Sequence, residues 1–175
     1  MRTVEIKLFS FDELSEDAKA KVIANNYDIN VSYDWWCHIY EDAANIGLKL
    51  DSFDLGRNRH TTGEFMQDAD HCARQILAEH GETCETYKLA KNYFSEYNDL
   101  VTKYSDGIQT DKVTEGNEYE FDQEADDLES EFLKDLLEDY ASILQRECDY
   151  QQSEEAIIET LVCNGCEFTE DGKPY

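Results

Sequence analysis

Apolar and polar side chains alternate across residues 3–9, where Val4, Ile6 and Leu8 interleave with Thr3, Glu5 and Lys7, the period of a half-buried strand. The spacing then changes to that of a helix. Ser15 stands at a capping position, Glu16 and Asp17 occupy a first turn that favours anions, and Ala18, Val22 and Ile23 form one apolar side, with Asn25 and Asn26 as the stop. A second helix is predicted over residues 34–46, carrying Trp36, Ile39, Tyr40 and Ala43 on one face and ended by Gly47. Residues 49–55 alternate again, less regularly, and their expected buried side chains are Leu50, Phe53 and Leu55. The opening third therefore reads β-α-α-β.

Residues 57–63 are polar and read as a turn, and residues 64–66 as a short strand. A helix over residues 68–80 has the stripe Ala69, Cys72, Ala73, Ile76 and Leu77, and Gly81 closes it. Over residues 83–104 the positions Tyr87, Ala90, Phe94, Tyr97, Val101 and Tyr104 recur at spacings of three and four, the mark of a long amphipathic helix. Residues 105–121 read as an acidic linker. The longest helix is predicted over residues 122–150, with a broad apolar face that includes Leu128, Phe132, Leu136, Tyr140 and Leu144. Ser153 caps a last short helix, and residues 166–169 return as an edge strand. The expected fold is α+β. Its expected organisation is an α+β domain over residues 1–104, the linker 105–121, and a helical arm over 122–175 that packs on the domain or on a partner.

Charge changes this picture more than composition does. The chain holds 15 Lys and Arg against 41 Asp and Glu, a net charge of −26 in 175 residues. Residues 1–104 carry 11 basic and 19 acidic side chains, whereas residues 105–175 carry 4 and 22. The 8 Phe, 11 Tyr and 2 Trp supply a core that acidic disordered tails lack, so a folded chain under self-repulsion is expected. Each contact with a phosphate requires a cation, which disfavours direct binding of nucleic acid and favours a basic protein as partner. No apolar run approaches the ~18 residues of a membrane span and no secretory leader stands at the N-terminus, so a cytoplasmic location is expected. In that setting the six cysteines are reduced thiols.

The arm organises its charge. A turn of 100° per residue places Glu124, Asp127, Glu131, Asp135 and Glu138 in one stripe opposite the apolar face, with Asp126 and Glu129 beside it. At 1.5 Å per residue the stripe has a carboxylate every ~5 Å, and all the acids from 122 to 139 bring this to ~3 Å. Phosphates along one DNA strand are spaced by about 3.4 Å, so the charge density is of the same order. Two readings fit the stripe: a face that meets only water, and a nucleic-acid mimic that meets a basic surface.

Other groupings are weaker. Cys163 and Cys166 have the CxxC spacing of zinc knuckles, but a structural zinc site takes four ligands and no second pair is in evidence. The CxxC follows a helix and has Gly165 in the place of a terminator, the reverse of the redox arrangement. Arg57, Asn58, Arg59 and His60 are the local basic cluster, suited to an anion or to ion pairs with the acidic remainder. Trp35 and Trp36 sit beside Tyr27, Tyr33 and Tyr40, as core or as a stacking anchor. Asp34, Glu41 and Asp42 near His38 have the residue types of an acid-base site, but 41 carboxylates make such proximity common. No phosphate loop, nucleophile elbow or H-E-x-x-H occurs. A non-enzymatic protein without a cofactor is expected.

Over residues 14–65 (LSEDAKAKVIANNYDINVSYDWWCHIYEDAANIGLKLDSFDLGRNRHTTGEF) and 154–175 (EEAIIETLVCNGCEFTEDGKPY) the chain resembles a group of small acidic phage and prophage proteins, some of them named antitoxins. The resemblance implies a phage setting and brings no site residues with it. Small acidic phage proteins often inhibit host defence complexes of the CRISPR-Cas or restriction type, whose nucleic-acid channels are basic. The expected partner is therefore such a protein or ribonucleoprotein complex, with an antitoxin-like binder, a homodimer through the arm and a zinc protein using Cys163 and Cys166 as alternatives.

Overall fold

The computed structural model describes residues 5–105 and 118–175. In chain order its elements are β1 (Phe9–Ser10), a 3-10 turn (Phe11–Glu13), α1 (Glu16–Asn25), α2 (Cys37–Asn45), β2 (Leu48–Asp54), β3 (His60–Phe65), α3 (Ala69–Glu79), α4 (Glu85–Tyr104), α5 (Glu118–Gln151), α6 (Glu154–Cys163) and β4 (Glu167–Phe168). The fold is α+β, with two small antiparallel sheets, β1-β4 and β2-β3. No helix among the described residues is long and apolar enough to cross a membrane.

The chain groups into two compact units, residues 1–36 with 145–175 and residues 37–144. These boundaries differ from the division at 104 and 122 read from charge and linker composition, and α5 contributes residues to both units.

The first unit is a small core of Phe11, Leu14, Ala18, Val22, Ile157, Leu161 and Phe168. Local signals build its helices. The Ser15 side chain accepts from the Ala18 N–H at 3.3 Å to cap α1, and Ser153 accepts from the Ala156 N–H at 3.2 Å to cap α6. Buried Asn30 ties two segments together: its amide donates to the Gln151 carbonyl at 3.1 Å and its carbonyl accepts from the Thr160 hydroxyl at 2.7 Å. The strand expected over residues 3–9 is corrected. Residues 3 and 4 lie outside the described residues, residues 5–8 form no strand, and pairing is limited to Phe9 with Phe168 and Ser10 with Glu167. The alternation lacks a partner to pair with, because β4 is only 2 residues long, and Ile6 stays 53% exposed.

In the second unit β2 and β3 form a hairpin that runs from Leu48 opposite Phe65 to Asp54 opposite His60, with an irregularity between Leu50 and Ser52. The turn expected over residues 57–63 is thus shorter, and β3 begins at His60. One side of β3 faces the α5 helix: Thr61 is buried and its hydroxyl donates to the Leu137 carbonyl, and a Cβ on Gly63 would come within 3.1 Å of the Leu137 side chain. Asp68 caps α3 through the His71 N–H at 2.7 Å. The buried stripe of α4 is Thr86, Ala90, Tyr93, Leu100 and Tyr104. Phe94 and Val101, expected on that stripe, are half-buried at its edge, because Tyr93 takes the central place by stacking on Phe132 at 4.6 Å. Phe132 also stacks on Phe65 at 5.8 Å, and Phe121 meets Tyr97 and Tyr104 edge-on at 6.2 and 5.9 Å. Phe132 and Phe121 on α5 thus pack against α4 and, for Phe132, the hairpin, while Leu133 and Leu137 remain half-buried. α2 starts at Cys37, so Trp35 and Trp36 precede the helix and pack on each other edge-to-face at 5.6 Å.

Candidate functional site

α5 carries 13 carboxylates against two cations, Lys134 and Arg146, and it starts four residues earlier than the charge pattern suggested. The stripe residues do not share one environment. Asp127, Glu131 and Glu138 are exposed, whereas Glu124 and Asp135 are half-buried along the side that approaches α4. Glu124 is committed inside the fold: Lys103 Nζ lies 2.6 Å from both its oxygens and the Tyr104 hydroxyl donates to it at 2.8 Å. The Lys103 contact first, then Tyr104, holds the Glu124 carboxyl below its ordinary value. Glu131 and Asp135 border a narrow groove with Asn92 and Glu96 of α4, so acid faces acid there. Glu138 is 3.8 Å from Lys134, one turn earlier.

The two acids beside the stripe point elsewhere. Asp126 is exposed, and Glu129 is half-buried toward the start of α3. Burial raises the Glu129 carboxyl, and the charges of Asp126, Asp68 and Asp70 raise it further. The outward set on α5 thus reduces to Asp126, Asp127, Glu131 and Glu138, with Glu124, Glu129 and Asp135 serving partly within the fold.

A second constellation joins residues far apart in sequence. Tyr140 is fully buried and its hydroxyl donates to Asp42 Oδ2 at 2.8 Å, while His80 Nε2 lies 3.6 Å from Asp42 Oδ1. His80 Nδ1 is 2.6 Å from the Thr86 hydroxyl, which in turn is 3.2 Å from Cys84 Sγ. The contact with His80 first, with the hydrogen bond from Tyr140, keeps the Asp42 carboxyl below its usual range despite partial burial. Burial, then the Asp42 charge, pushes the Tyr140 phenol up. Asp42 and His80 open on a cleft of about 390 Å³ with Asn45, Ile46 and Glu79. The sequence placed Asp42 with His38, on the same helix; the fold gives it His80 as its close partner instead. The arrangement ties together α2, the end of α3, α4 and α5, with Thr86 2% exposed and the Cys84 thiol half-buried beside it.

Cys163 and Cys166 lie at the end of α6. The Gly165 N–H donates to the Val162 carbonyl and the Cys166 N–H to the Leu161 carbonyl, both at 3.0 Å, and Gly165 has φ of +60°. This is the two-bond helix terminator with glycine in the left-handed position, which accounts for Gly165 between the two cysteines. Among the described residues no group of three or more His, Cys, Asp and Glu side chains is placed to hold a metal ion. No protein-family model, curated protein or solved structure matches the chain.

Proposed function

We propose that this chain is a non-enzymatic binding protein that sets the outward carboxylates of α5 against a basic, nucleic-acid-binding surface of a host defence complex, of the CRISPR-Cas or restriction type, and so blocks access of the nucleic acid. The observation that carries this reading is the concentration of 13 carboxylates against two cations on one 34-residue helix. Asp127, Glu131 and Glu138 project from it to solvent. The phage setting comes from the resemblance over residues 14–65 and 154–175, and the choice of a basic partner from the charge. An antitoxin-like binder that buried the tyrosines of α4 has less to work with, since Tyr93 and Tyr104 are already 3% and 7% exposed within the chain's own core.

The test replaces Asp127, Glu131 and Glu138 by Lys together. The variant is expected to keep its helical circular dichroism and to lose inhibition of DNA cleavage by such a complex. Inhibition by the native chain is also expected to weaken steeply between about 50 and 200 mM salt, because exposed charge pairs are screened over that range. Full inhibition by the folded triple variant sinks the mimic mechanism.

A further inference from the structure

In a chain of net charge −26, one cavity gathers cations. The hairpin turn between β2 and β3 carries Arg57 and Arg59, and Asp54 shapes that turn by accepting from the Gly56 N–H at 2.6 Å. Arg59 is thereby brought to α5, where its Nη2 donates to the Ser142 hydroxyl at 3.2 Å, and Ser142 donates onward to the Glu138 carbonyl at 3.1 Å. A cavity of about 510 Å³ opens at this junction. Its cationic side chains are Arg59 and Lys134, His60 lies beside them, and Glu138 is its single carboxylate. That carboxylate is matched to Lys134 at 3.8 Å, and among the described residues Arg59 has a hydroxyl rather than a carboxylate as its partner.

The rest of the wall combines the hydroxyls of Thr61, Ser130 and Ser142 with an apolar row. Leu133, Leu137 and Ala141 stand four residues apart on α5 and present one row, roughly 12 Å long at 1.5 Å per residue. The Thr61 bond to the Leu137 carbonyl fixes β3 against this row, so the floor is held by both elements. An apolar floor with a few convergent polar groups, in a volume of this size, is the usual construction of a small-molecule site. The sign of its charge is opposite to that of the molecule around it. At physiological salt the surrounding field is screened over ~8 Å, so an anion inside the cavity responds chiefly to Arg59 and Lys134.

We infer that this cavity binds a small amphiphilic anion, an alkyl or aryl chain ending in a carboxylate or phosphate, with the headgroup on the Arg59 guanidinium and the apolar body along Leu133, Leu137 and Ala141. Guanidinium suits this role because its planar fork accepts either headgroup in a bidentate manner. The site meets the proposed partner surface at Glu138 alone, since Asp127 and Glu131 take no part in it.

Titration of the full chain with octanoate, octyl phosphate, octanol and octylammonium, each below its micelle concentration and followed by amide chemical shifts, tests this. Octanoate or octyl phosphate is expected to move Thr61, Leu137, Ala141 and Ser142 saturably, with octanol and octylammonium at least tenfold weaker; the relative strength of the two anions identifies the headgroup. The double variant Arg59→Gln/Lys134→Gln is expected to weaken the anion at least tenfold. The double variant Lys88→Gln/Lys91→Gln, an equal loss of charge on α4, is expected to leave it unchanged. Asp127→Lys is likewise expected to retain the anion, which separates this site from the partner surface. Equal binding of octanol, shifts centred elsewhere, or undiminished anion binding by the double variant with a native amide spectrum would overturn the assignment.

Discussion

Tyr140 donates from a fully buried ring to a carboxylate that is about half open to solvent, and this sets how the contact responds to pH. A hydrogen bond to a charged group contributes about 1.5–3 kcal/mol, and the open side of Asp42 places this one near the lower end. Tyr140→Phe is therefore expected to destabilise the second unit by roughly 1–2 kcal/mol at pH 7 in urea unfolding. Asp42 is held below its ordinary value by His80 first and Tyr140 next, so its contribution is present above the usual carboxylate range and is lost as the pH falls through the lower native value. The gap between native chain and variant is expected to close below about pH 4. A gap that stays equal from pH 7 to pH values well under the ordinary carboxylate range would mean that the tyrosine does not meet an ionised carboxylate.

At the scale of elements, glycines decide where helices end. Gly165 sits at φ +60° after α6, and nothing crowds the place of its missing side chain, so Gly165→Ala isolates the backbone preference from any clash. A left-handed alanine costs roughly 1–2 kcal/mol, and a loss of about that size is expected in the thermal unfolding of the first unit. Gly81→Ala, also in open space and without a positive φ, is expected to stay within about 0.5 kcal/mol. Equal effects would remove the terminator reading of the Cys163–Cys166 segment. Signals of this local kind are what made α1 and α6 legible in the sequence, since Ser15 and Ser153 cap them within three residues of their targets, whereas α3 was read from its apolar stripe. Only the end of β3 was legible, as the short strand over residues 64–66: Thr61, Thr62 and Gly63 have the composition of a turn, and pairing with β2 together with the approach of Leu137, 76 residues from Thr61, makes a strand of them. For the same reason the carboxylate stripe of α5 could be drawn from helix geometry, yet the commitment of Glu124 to Lys103 and Tyr104 depends on α4. The pairing of Asp42 with His80 and Tyr140 spans three helices and leaves no spacing to read.

For the whole molecule, folding changes where the charge asymmetry lies. Along the sequence it separates −8 before residue 105 from −18 after it, but the two compact units carry −9 over 67 residues and −17 over 108, nearly the same density. The imbalance therefore belongs to α5, which holds −11 in its 34 residues, and not to either unit as a body. Like charges at neighbouring helical positions cost about 0.2–0.5 kcal/mol per pair, so the four steps of the stripe sum to roughly 1–2 kcal/mol before screening. The screening length falls from ~30 Å at 0.01 M salt to ~8 Å at 0.15 M, which relieves the longer-range repulsion first. The exposed ion pairs, such as Lys49 with Glu64 and Lys88 with Glu85, lose little in exchange, because surface pairs contribute only ~0–1 kcal/mol each. Stability is accordingly expected to rise with sodium chloride across this range, by up to about 1–2 kcal/mol, with the largest gain in hydrogen-exchange protection on the α5 turns around Asp127 and Glu131. The triple replacement of Asp127, Glu131 and Glu138 by Lys is expected to flatten that dependence. A native chain whose midpoint falls with salt, or whose α5 amides gain no protection, would show that the stripe carries no repulsion to relieve, and with it would go the energetic reason for the helix to seek a basic partner.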